Sequence, residues 1–417
     1  MTATGRCAAA TLLLVSISCA TEPSSDPGSV AVIFVSDPAA AHFGSVEVRG
    51  LGSRRALALE RAANSTEGPA ALEVFTGAAF PDAADPDAGL GQSGLPKAGL
   101  PEGQNALPPV LGDLVADGDR LRFTPRYPFV PGQPYTARWR PVDAPGEPIS
   151  EPPSSILLSF SLSPSDAEPT TAVAQVYPTA EVLPENLLKF YLHFSASMSR
   201  GNASAHIRLL DDEGRELPYP FVAPHQELWN KTNDRLTLIL DPGRIKRNVG
   251  PNLEMGPPLV AGRSFRLVID KAWLDGQGLP MTHGFEKRFR VTDPDRLSPR
   301  VEDWRLSAPS SPTAPLVVRF PEPFDHALLH RLLRVFDGSG NPVEGTLETQ
   351  DHQQVWNFFP NDPWSQESYE LRAASSLEDL AGNTFDGTFD TSLEGTPSTE
   401  EPKGGFISLT FQPVSSR

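Results

Sequence analysis

Residues 369–389 read YELRAASSLEDLAGNTFDGTF and contain, in order, the elements from which much of the chain is built. The first six residues alternate between apolar and more polar side chains, which predicts a half-buried strand. Residues 377–383, LEDLAGN, predict a tight turn in which Gly382 supplies the positive φ that such turns commonly need. Residues 384–389 predict the start of another extended segment.

The same order of elements occurs earlier in the chain. Residues 264–270 predict a strand, residues 273–278 (WLDGQG) a turn, and residues 285–291 a last strand. The segments that precede these elements also correspond between the two copies. In the later copy, segments 316–320, 333–340 and 355–360 take the places of 190–194, 209–214 and 236–241 in the earlier copy. The chain is therefore predicted to contain a repeated β domain.

Composition supports a chain of short strands and rigid loops. The 417 residues include 44 Pro and 33 Gly, and proline interrupts both helix interiors and central strands. Long helices are therefore not expected. The formal net charge of −17 repels phosphate backbones, so nucleic-acid binding is disfavoured.

The beginning of the chain predicts export. Residues 1–19 combine one positive charge with an apolar run that is too short to span a bilayer and fits a signal peptide. The segment resembles a bacterial lipoprotein signal in which Cys19 becomes the lipidated residue. Cleavage by an ordinary signal peptidase and a buried apolar segment are the alternatives. Since Cys7 and Cys19 are the only two cysteines, the remainder has no thiol for a disulfide or a metal.

The signal segment, the linker-like stretches and the repeated units together predict the domain organisation. After the signal and a flexible tether at 20–28, we predict a β-rich and possibly divergent Ig-like domain at 29–165 with a loop insertion at 81–109. Two Ig-like domains follow at 171–295, with an insertion at 242–258, and at 299–392. Residues 393–417 form a tail with a possible strand at 406–411.

The repeated units resemble bacterial Ig-like domains of the type found in the S-layer protein SbsA. The resemblance rests on a strand ending in Phe, a strand closing on Asp-x-x-Gly, and the final Leu-x-Asp-x-x-Gly-Asn of residues 377–383. It implies an all-β fold of tandem Ig-like β-sandwiches, which the number and spacing of the short strands also favour. Such sandwiches serve as stalks, spacers and binding modules, so the resemblance implies no single activity.

Several residues are candidates for metal or ligand binding. His326 and His330 have a helical zinc spacing but lack the Glu of a His-Glu-x-x-His site, so a surface or packing role is favoured. Asp275 and Asp379 favour turn stabilisation over cation binding. The acidic residues of the 81–109 loop lack calcium-loop spacing. Five tryptophans could form a sugar-stacking platform, but a packing role between sheets is favoured for them: Trp229, Trp273, Trp304, Trp356 and Trp364.

We therefore predict a non-catalytic envelope protein with no cofactor and no metal site, anchored to a membrane through acylated Cys19. It would act as a surface spacer or interaction module with an unknown protein or glycan partner. Possible partner-binding residues are the basic Arg244, Lys246 and Arg247 of the insertion. The alternatives are a carbohydrate- or polymer-binding protein, and a hydrolase with its site in the first region or in residues 242–258.

Overall fold

The computed structural model describes residues 30–36, 44–63, 71–77, 109–140, 155–163, 167–222, 227–390 and 405–414. Within these ranges the chain is built from antiparallel sheets with a few short helices. The prediction of an all-β chain of β-sandwiches is confirmed. The chain divides into two compact units, of which the first is centred on Met1–Thr171 and also takes in Ala196–Ala205 and Lys271–Thr282.

The first unit contains a sandwich of two sheets. Its elements are β1 (Ala31–Ser36), β2 (Gly44–Arg49), α1 (Ser53–Ala63), β3 (Leu72–Thr76), β4 (Gly112–Asp117), β5 (Arg120–Pro125), β6 (Pro134–Trp139) and β7 (Ile156–Ser161). The sheets have the orders β1-β2-β5-β4 and β3-β6-β7. Val48 and Phe123 of one sheet and Val74 and Trp139 of the other lie in one core.

Helix α1 was not part of the sequence prediction. Its sequence, SRRALALERAA, consists almost entirely of residues with high helix propensity. It buries Ala56 and Leu59 in the same core as the two sheets. The helix propensity of residues 53–63 could have predicted α1, but the high proline content of the whole chain favoured strands and loops.

The second unit begins with a sandwich of eight strands. These are β8 (Val173–Tyr177), β9 (Val182–Pro184), β10 (Lys189–Phe194), β11 (Ile207–Leu210), β12 (Leu228–Trp229), β13 (Arg235–Ile239), β14 (Ser264–Ile269) and β15 (Phe285–Thr292). The short helices α2 (Pro242–Ile245) and α3 (Gly250–Met255) form the insertion. The sheets have the orders β12-β13-β10-β8 and β11-β14-β15-β9, and only β9 runs parallel to its neighbour.

A third sandwich completes the second unit. Its elements are β16 (Arg305–Ser307), β17 (Leu316–Arg319), α4 (His326–Leu332), β18 (Leu333–Phe336), β19 (Gly345–Gln350), β20 (Val355–Pro360), β21 (Tyr369–Ala374) and β22 (Phe406–Phe411). The sheets have the orders β16-β17-β20-β19 and β18-β21-β22. The pairings β10·β13 and β11·β14 recur here as β17·β20 and β18·β21, as the sequence repeat predicts.

The end of the third sandwich differs from the expectation in one respect. Residues 384–389 form a turn, with a bridge between Thr384 and Gly387, and no strand. The last strand is β22, which pairs with β21 from Tyr369↔Phe411 to Ala374↔Phe406. This sandwich therefore extends beyond residue 392, and the strand at 406–411 belongs to it.

Candidate functional site

The candidate site lies in the second unit, where the second and third sandwiches meet along strand β10. Because side chains alternate along a strand, β10 has two different faces. One face places Phe190 and Leu192 in the core of the second sandwich. The other carries Lys189, Tyr191 and His193. We call the residues of this second face and their contacts on the third sandwich the junction.

A buried ionic network forms the centre of the junction. The hydroxyl of Tyr191 donates to both carboxylate oxygens of Asp325, at 2.9 and 2.8 Å. The Nζ atom of Lys189 donates to Asp325 Oδ2 at 3.4 Å and to Glu378 Oε2 at 2.5 Å. The side chain of Asp325 is 5 % exposed and that of Lys189 17 % exposed, so water screens these charges poorly.

The pKa values follow from this setting. Burial alone would lower the pKa of Lys189, but the carboxylates of Asp325 and Glu378 raise it above the usual value. Burial and the adjacent Asp325 carboxylate both raise the pKa of the Tyr191 hydroxyl. At neutral pH Lys189 is therefore an ammonium group and Tyr191 a neutral phenol.

Asp325 is positioned by local structure in the third sandwich. It is the N-cap of α4, and its Oδ1 accepts a hydrogen bond from the backbone N–H of Leu328 at 3.0 Å. This satisfies one of the free N–H groups at the helix start. Its own backbone N–H donates to the carbonyl of Glu378 at 2.9 Å. The carboxylate is thus fixed before the second sandwich contributes a contact.

The turn at residues 377–383 is part of the junction. The backbone N–H of Leu188 donates to the carbonyl of Leu380 at 2.9 Å. Gly382 has φ +81°, and a Cβ atom at this position would lie 2.6 Å from Leu188 Cδ2. The turn therefore closes its own sandwich and also contacts the preceding one.

Asp379 and Asp275 stabilise their turns in the same way. The Oδ1 atom of Asp379 accepts from the N–H groups of Ala381 and Asn383 at 2.8 and 2.9 Å. The Oδ1 atom of Asp275 accepts from the N–H groups two and four residues further on, at 2.8 and 3.0 Å. The interpretation of these two residues as turn-stabilising is confirmed.

Aromatic and imidazole rings extend the junction beyond the ionic network. The rings of Tyr177 and His326 are stacked, with centroids 3.5 Å apart and planes 5° apart. His193 and His330 flank His326 with centroid distances of 5.5 and 4.7 Å. Burial, the other imidazoles and Arg235 lower the pKa of His326 to about 3. His326 is therefore a neutral packing residue, as its sequence context favours.

Three carboxylates cluster beside the turn. Oxygens of Asp295, Glu322 and Asp379 lie within 4.8 Å of one another. Burial and the other two carboxylates raise the pKa of Glu322 to about 8. Burial also raises the pKa of Asp379 to about 7, although the hydrogen bonds that Asp379 accepts from Asn383 act to lower it. The spacing would suit a hard cation, but the raised pKa of Glu322 keeps this group largely protonated at neutral pH, which lowers the negative charge of the cluster without a cation.

The insertion contacts the end of the third sandwich. The guanidinium of Arg247 donates to Asp390 Oδ1 at 3.4 Å, and that of Arg296 donates to Asp390 Oδ2 at 2.7 Å. Lys246 Nζ lies 4.7 Å from the ring centroid of Phe389. The side chain of Asp390 is 1 % exposed, whereas those of Arg247 and Arg296 are 48 % and 38 % exposed, so only the carboxylate side of this contact is shielded from water.

Arg244 is a structural residue of the insertion. It is 4 % exposed, and its guanidinium donates to four backbone carbonyls, those of Pro218, Tyr219, Gly256 and Pro257. Burial lowers its pKa. The partner-binding prediction for Arg244, Lys246 and Arg247 stays a prediction, but within this chain all three already have intramolecular contacts.

The six tryptophans form no exposed platform. Five have buried side chains, Trp139, Trp273, Trp304, Trp356 and Trp364. Trp229 is half-buried, and its Nε1 donates to Glu227. A sugar-stacking surface would need several exposed rings on one face, so these residues give carbohydrate binding no support.

Several predicted features lie outside the described residues. These are the signal at 1–19 with Cys19, the tether at 20–28, and most of the 81–109 loop. Lipidation at Cys19 and a hydrolytic site using that loop therefore stay predictions. Among the helices that are described, none has the length and apolar character needed to cross a membrane.

Comparison with known proteins identifies no family. No family model and no curated protein matches the chain. Among solved structures, α-2-macroglobulin from Escherichia coli (domains MG0-NIE-MG1) is similar at 10 % identity and TM-score 0.20, over 58 % of this chain and 90 % of that one. The N-terminal part of the bacterial S-layer protein SbsC is similar at 12 % identity and TM-score 0.21, over 59 % and 44 %. Likenesses this weak leave the function open.

Proposed function

We propose that this protein is a non-catalytic component of the bacterial cell envelope, exported and anchored through acylated Cys19. Its two C-terminal sandwiches act together as one stiff module that serves as a surface spacer or presents an interaction surface. The membrane is a partner through the acyl chains, and a protein or glycan is the second partner.

The observation that carries this proposal is the junction. Two sandwiches joined by a flexible linker alone would be expected to move independently. Here Asp295 and Arg296, which lie between the two sandwiches in the chain, contact both of them. Asn186 Nδ2 of the second sandwich donates to the carbonyl of Asp295 at 2.5 Å, and Arg296 pairs with Asp390 at the end of the third. A stiff double module suits a spacer, because its length stays constant.

The alternatives differ in support. A polymer-binding protein lacks the exposed tryptophans that it would use. A hydrolase with its site in the insertion would need a paired acid and base, and the contacts seen there for Arg244 and Arg247 are to a backbone carbonyl and to Asp390. The spacer is therefore the function that the described geometry supports best.

The anchoring claim is tested by expressing the full chain and the Cys19→Ala variant in a bacterial host and separating membrane from soluble fractions. Wild type is expected in the membrane fraction and Cys19→Ala in the soluble fraction. Cys7→Ala, which alters the other cysteine of the same segment, is the matched control and should stay with the membrane. If Cys19→Ala remained fully membrane-bound, acyl anchoring would be rejected.

A further inference from the structure

The ionic network of the junction also has the arrangement of an acyl-transfer site. An amine, a carboxyl group, a second carboxylate and two hydrogen-bond donors converge in a poorly solvated space. We propose that Lys189 and Asp325 become joined by an isopeptide bond between Nζ and Cγ, with Glu378 carrying the protons. The product would be a covalent cross-link between the second and third sandwiches. This goes beyond the proposed spacer function.

The two oxygens of Asp325 have different surroundings. Oδ2 faces the amine, with Lys189 Nζ at 3.4 Å. Oδ1 accepts from the backbone N–H of Leu328 at 3.0 Å, and the Tyr191 hydroxyl lies 2.9 Å from Oδ1 and 2.8 Å from Oδ2. When Oδ2 becomes protonated, the Tyr191 hydroxyl can donate to Oδ1 together with the Leu328 N–H, and two such donors stabilise the oxyanion of a tetrahedral intermediate. Oδ1 is thus placed to carry the negative charge, and Oδ2 to leave.

Glu378 is placed to transfer protons. Its Oε2 lies 2.5 Å from Lys189 Nζ, within the range required of a general base. The backbones of Glu378 and Asp325 are also joined, since the N–H of Asp325 donates to the Glu378 carbonyl at 2.9 Å. The Glu378 carboxylate and the leaving oxygen Oδ2 contact the same nitrogen, at 2.5 and 3.4 Å.

The step balances without a further reactant. The Lys189 ammonium gives one proton to Glu378, which passes it to Oδ2 of Asp325. The resulting neutral amine attacks Cγ of the neutral carboxyl group, a C–N bond forms, and the negative charge collects on Oδ1. Oδ2 then takes a second proton from the nitrogen, the C–Oδ2 bond breaks, and the carbonyl forms again at Oδ1. One ammonium and one carboxylate become one amide and one water molecule, and Glu378 ends as the carboxylate it was.

Proximity accelerates a reaction that is very slow between dilute amine and acid. Groups held in a reactive geometry behave as if one were present at about 10⁵–10⁸ M. Limited exposure also disfavours the ion pair relative to a neutral amide. The side chains of Lys189, Asp325 and Glu378 are 17 %, 5 % and 25 % exposed. Since no cysteine follows Cys19, this bond would provide the covalent link that a disulfide cannot.

The test is the mass of the full chain, purified in the Cys19→Ala background so that no acyl group contributes. Under denaturing conditions the chain should be lighter, by one water molecule, than the mass calculated from its processed sequence. Proteolysis should release a branched peptide that joins the segments containing Lys189 and Asp325. The full calculated mass, together with separate unmodified peptides for the two residues, would overturn the proposal.

Variants assign the roles. Lys189→Arg and Asp325→Ala should restore the full mass, and Glu378→Gln should restore it wholly or slow its loss at least tenfold. Two controls should keep the deficit: Lys287→Arg, a buried lysine that donates to the carbonyls of Thr179 and Ala180, and Glu370→Gln, which pairs with Arg372. A deficit that persists in Lys189→Arg would contradict the assignment. Mass is read on unfolded protein, but the bond forms only in the folded geometry, so circular dichroism must show that each variant folds before its full mass is assigned to the missing group.

Discussion

The hydroxyl of Tyr191 on β10 donates to both carboxylate oxygens of Asp325 at the start of α4, at 2.9 and 2.8 Å. The two residues are 134 positions apart in the chain and belong to different sandwiches. Their contact links the outer face of one sheet to the helix cap of the next domain. The stability of the two sandwiches should therefore be coupled.

Tyr191→Phe tests that coupling. Hydrogen bonds to a buried charged group contribute about 1.5–3 kcal/mol, so we expect a loss of that order in the free energy of unfolding measured with urea. Tyr177→Phe is the control, because it keeps the ring that stacks on His326 and should change stability much less. Equal effects of the two substitutions would show that the Tyr191 hydroxyl has no special role.

Gly382→Ala tests the docking of the turn. The residue has φ +81°, and the added methyl group would lie 2.6 Å from Leu188 Cδ2. Gly340 is the matched control, with φ +84° and no atom within 4 Å of an added Cβ. Gly340→Ala should cost about 1–2 kcal/mol from backbone strain alone. Gly382→Ala should cost more in thermal or urea denaturation, because it also displaces Leu188; a smaller cost would contradict the contact.

Glu322→Gln should stabilise the protein at alkaline pH. The folded-state pKa of Glu322 is raised to about 8, above its unfolded value. Its contribution is therefore fully present below the unfolded pKa and is lost as pH rises through about 8. Allowing for solvent screening, we expect Glu322→Gln to gain about 1–2 kcal/mol at pH 8.5 and little at pH 5.

The measurement is a series of urea unfolding curves between pH 5 and 8.5. Glu348→Gln, at an exposed position of β19, is the control and should follow the wild-type pH dependence. If Glu322→Gln also followed the wild-type curve, the three carboxylates would not interact as described.

Arg244→Met should destabilise the insertion. The substitution keeps an apolar stem but leaves four backbone carbonyls without their donor. We expect a loss of about 2–3 kcal/mol in unfolding free energy. Arg263→Met removes an exposed ion pair with Asp212 and should change the unfolding free energy much less, because solvent screens an exposed pair. Hydrogen exchange should locate the Arg244 effect in residues 242–258, and a uniform effect across the chain would argue against it.

The sequence predicts the strands better than it predicts what lies between domains. The alternation of residues 188–195 and the turn at 377–383 are local patterns, and both predict the observed β10 and the Asp379 turn. Lys189, Tyr191 and His193 follow the same alternation, but a solvated outer face has the same pattern as a docked one. Their contacts with Asp325 and Glu378 bring together distant residues, which no periodicity reveals.

Two other differences have equally plain causes. Residues 384–389 were expected to begin the last strand but form a second short turn, because a brief extended pattern after a turn fits both structures. The last strand is β22, which lies further along the chain. The basic character of residues 242–258 suggested a partner surface, yet Asp390, the carboxylate that pairs with Arg247, lies 143 residues away. Charge patterns show that a partner is needed, but not whether it lies in the same chain.

The central claim is that the second and third sandwiches form one stiff module. Since Cys7 and Cys19 are the two cysteines of the sequence, spin labels can be placed without background at Arg208→Cys and Glu348→Cys, both exposed, in a Cys7→Ala/Cys19→Ala chain. Pulsed dipolar spectroscopy should give a single narrow distance distribution. The Lys189→Ala/Arg247→Ala double variant, which removes contacts to Glu378 and Asp390, should broaden it. A broad distribution in the otherwise unaltered chain would contradict the account.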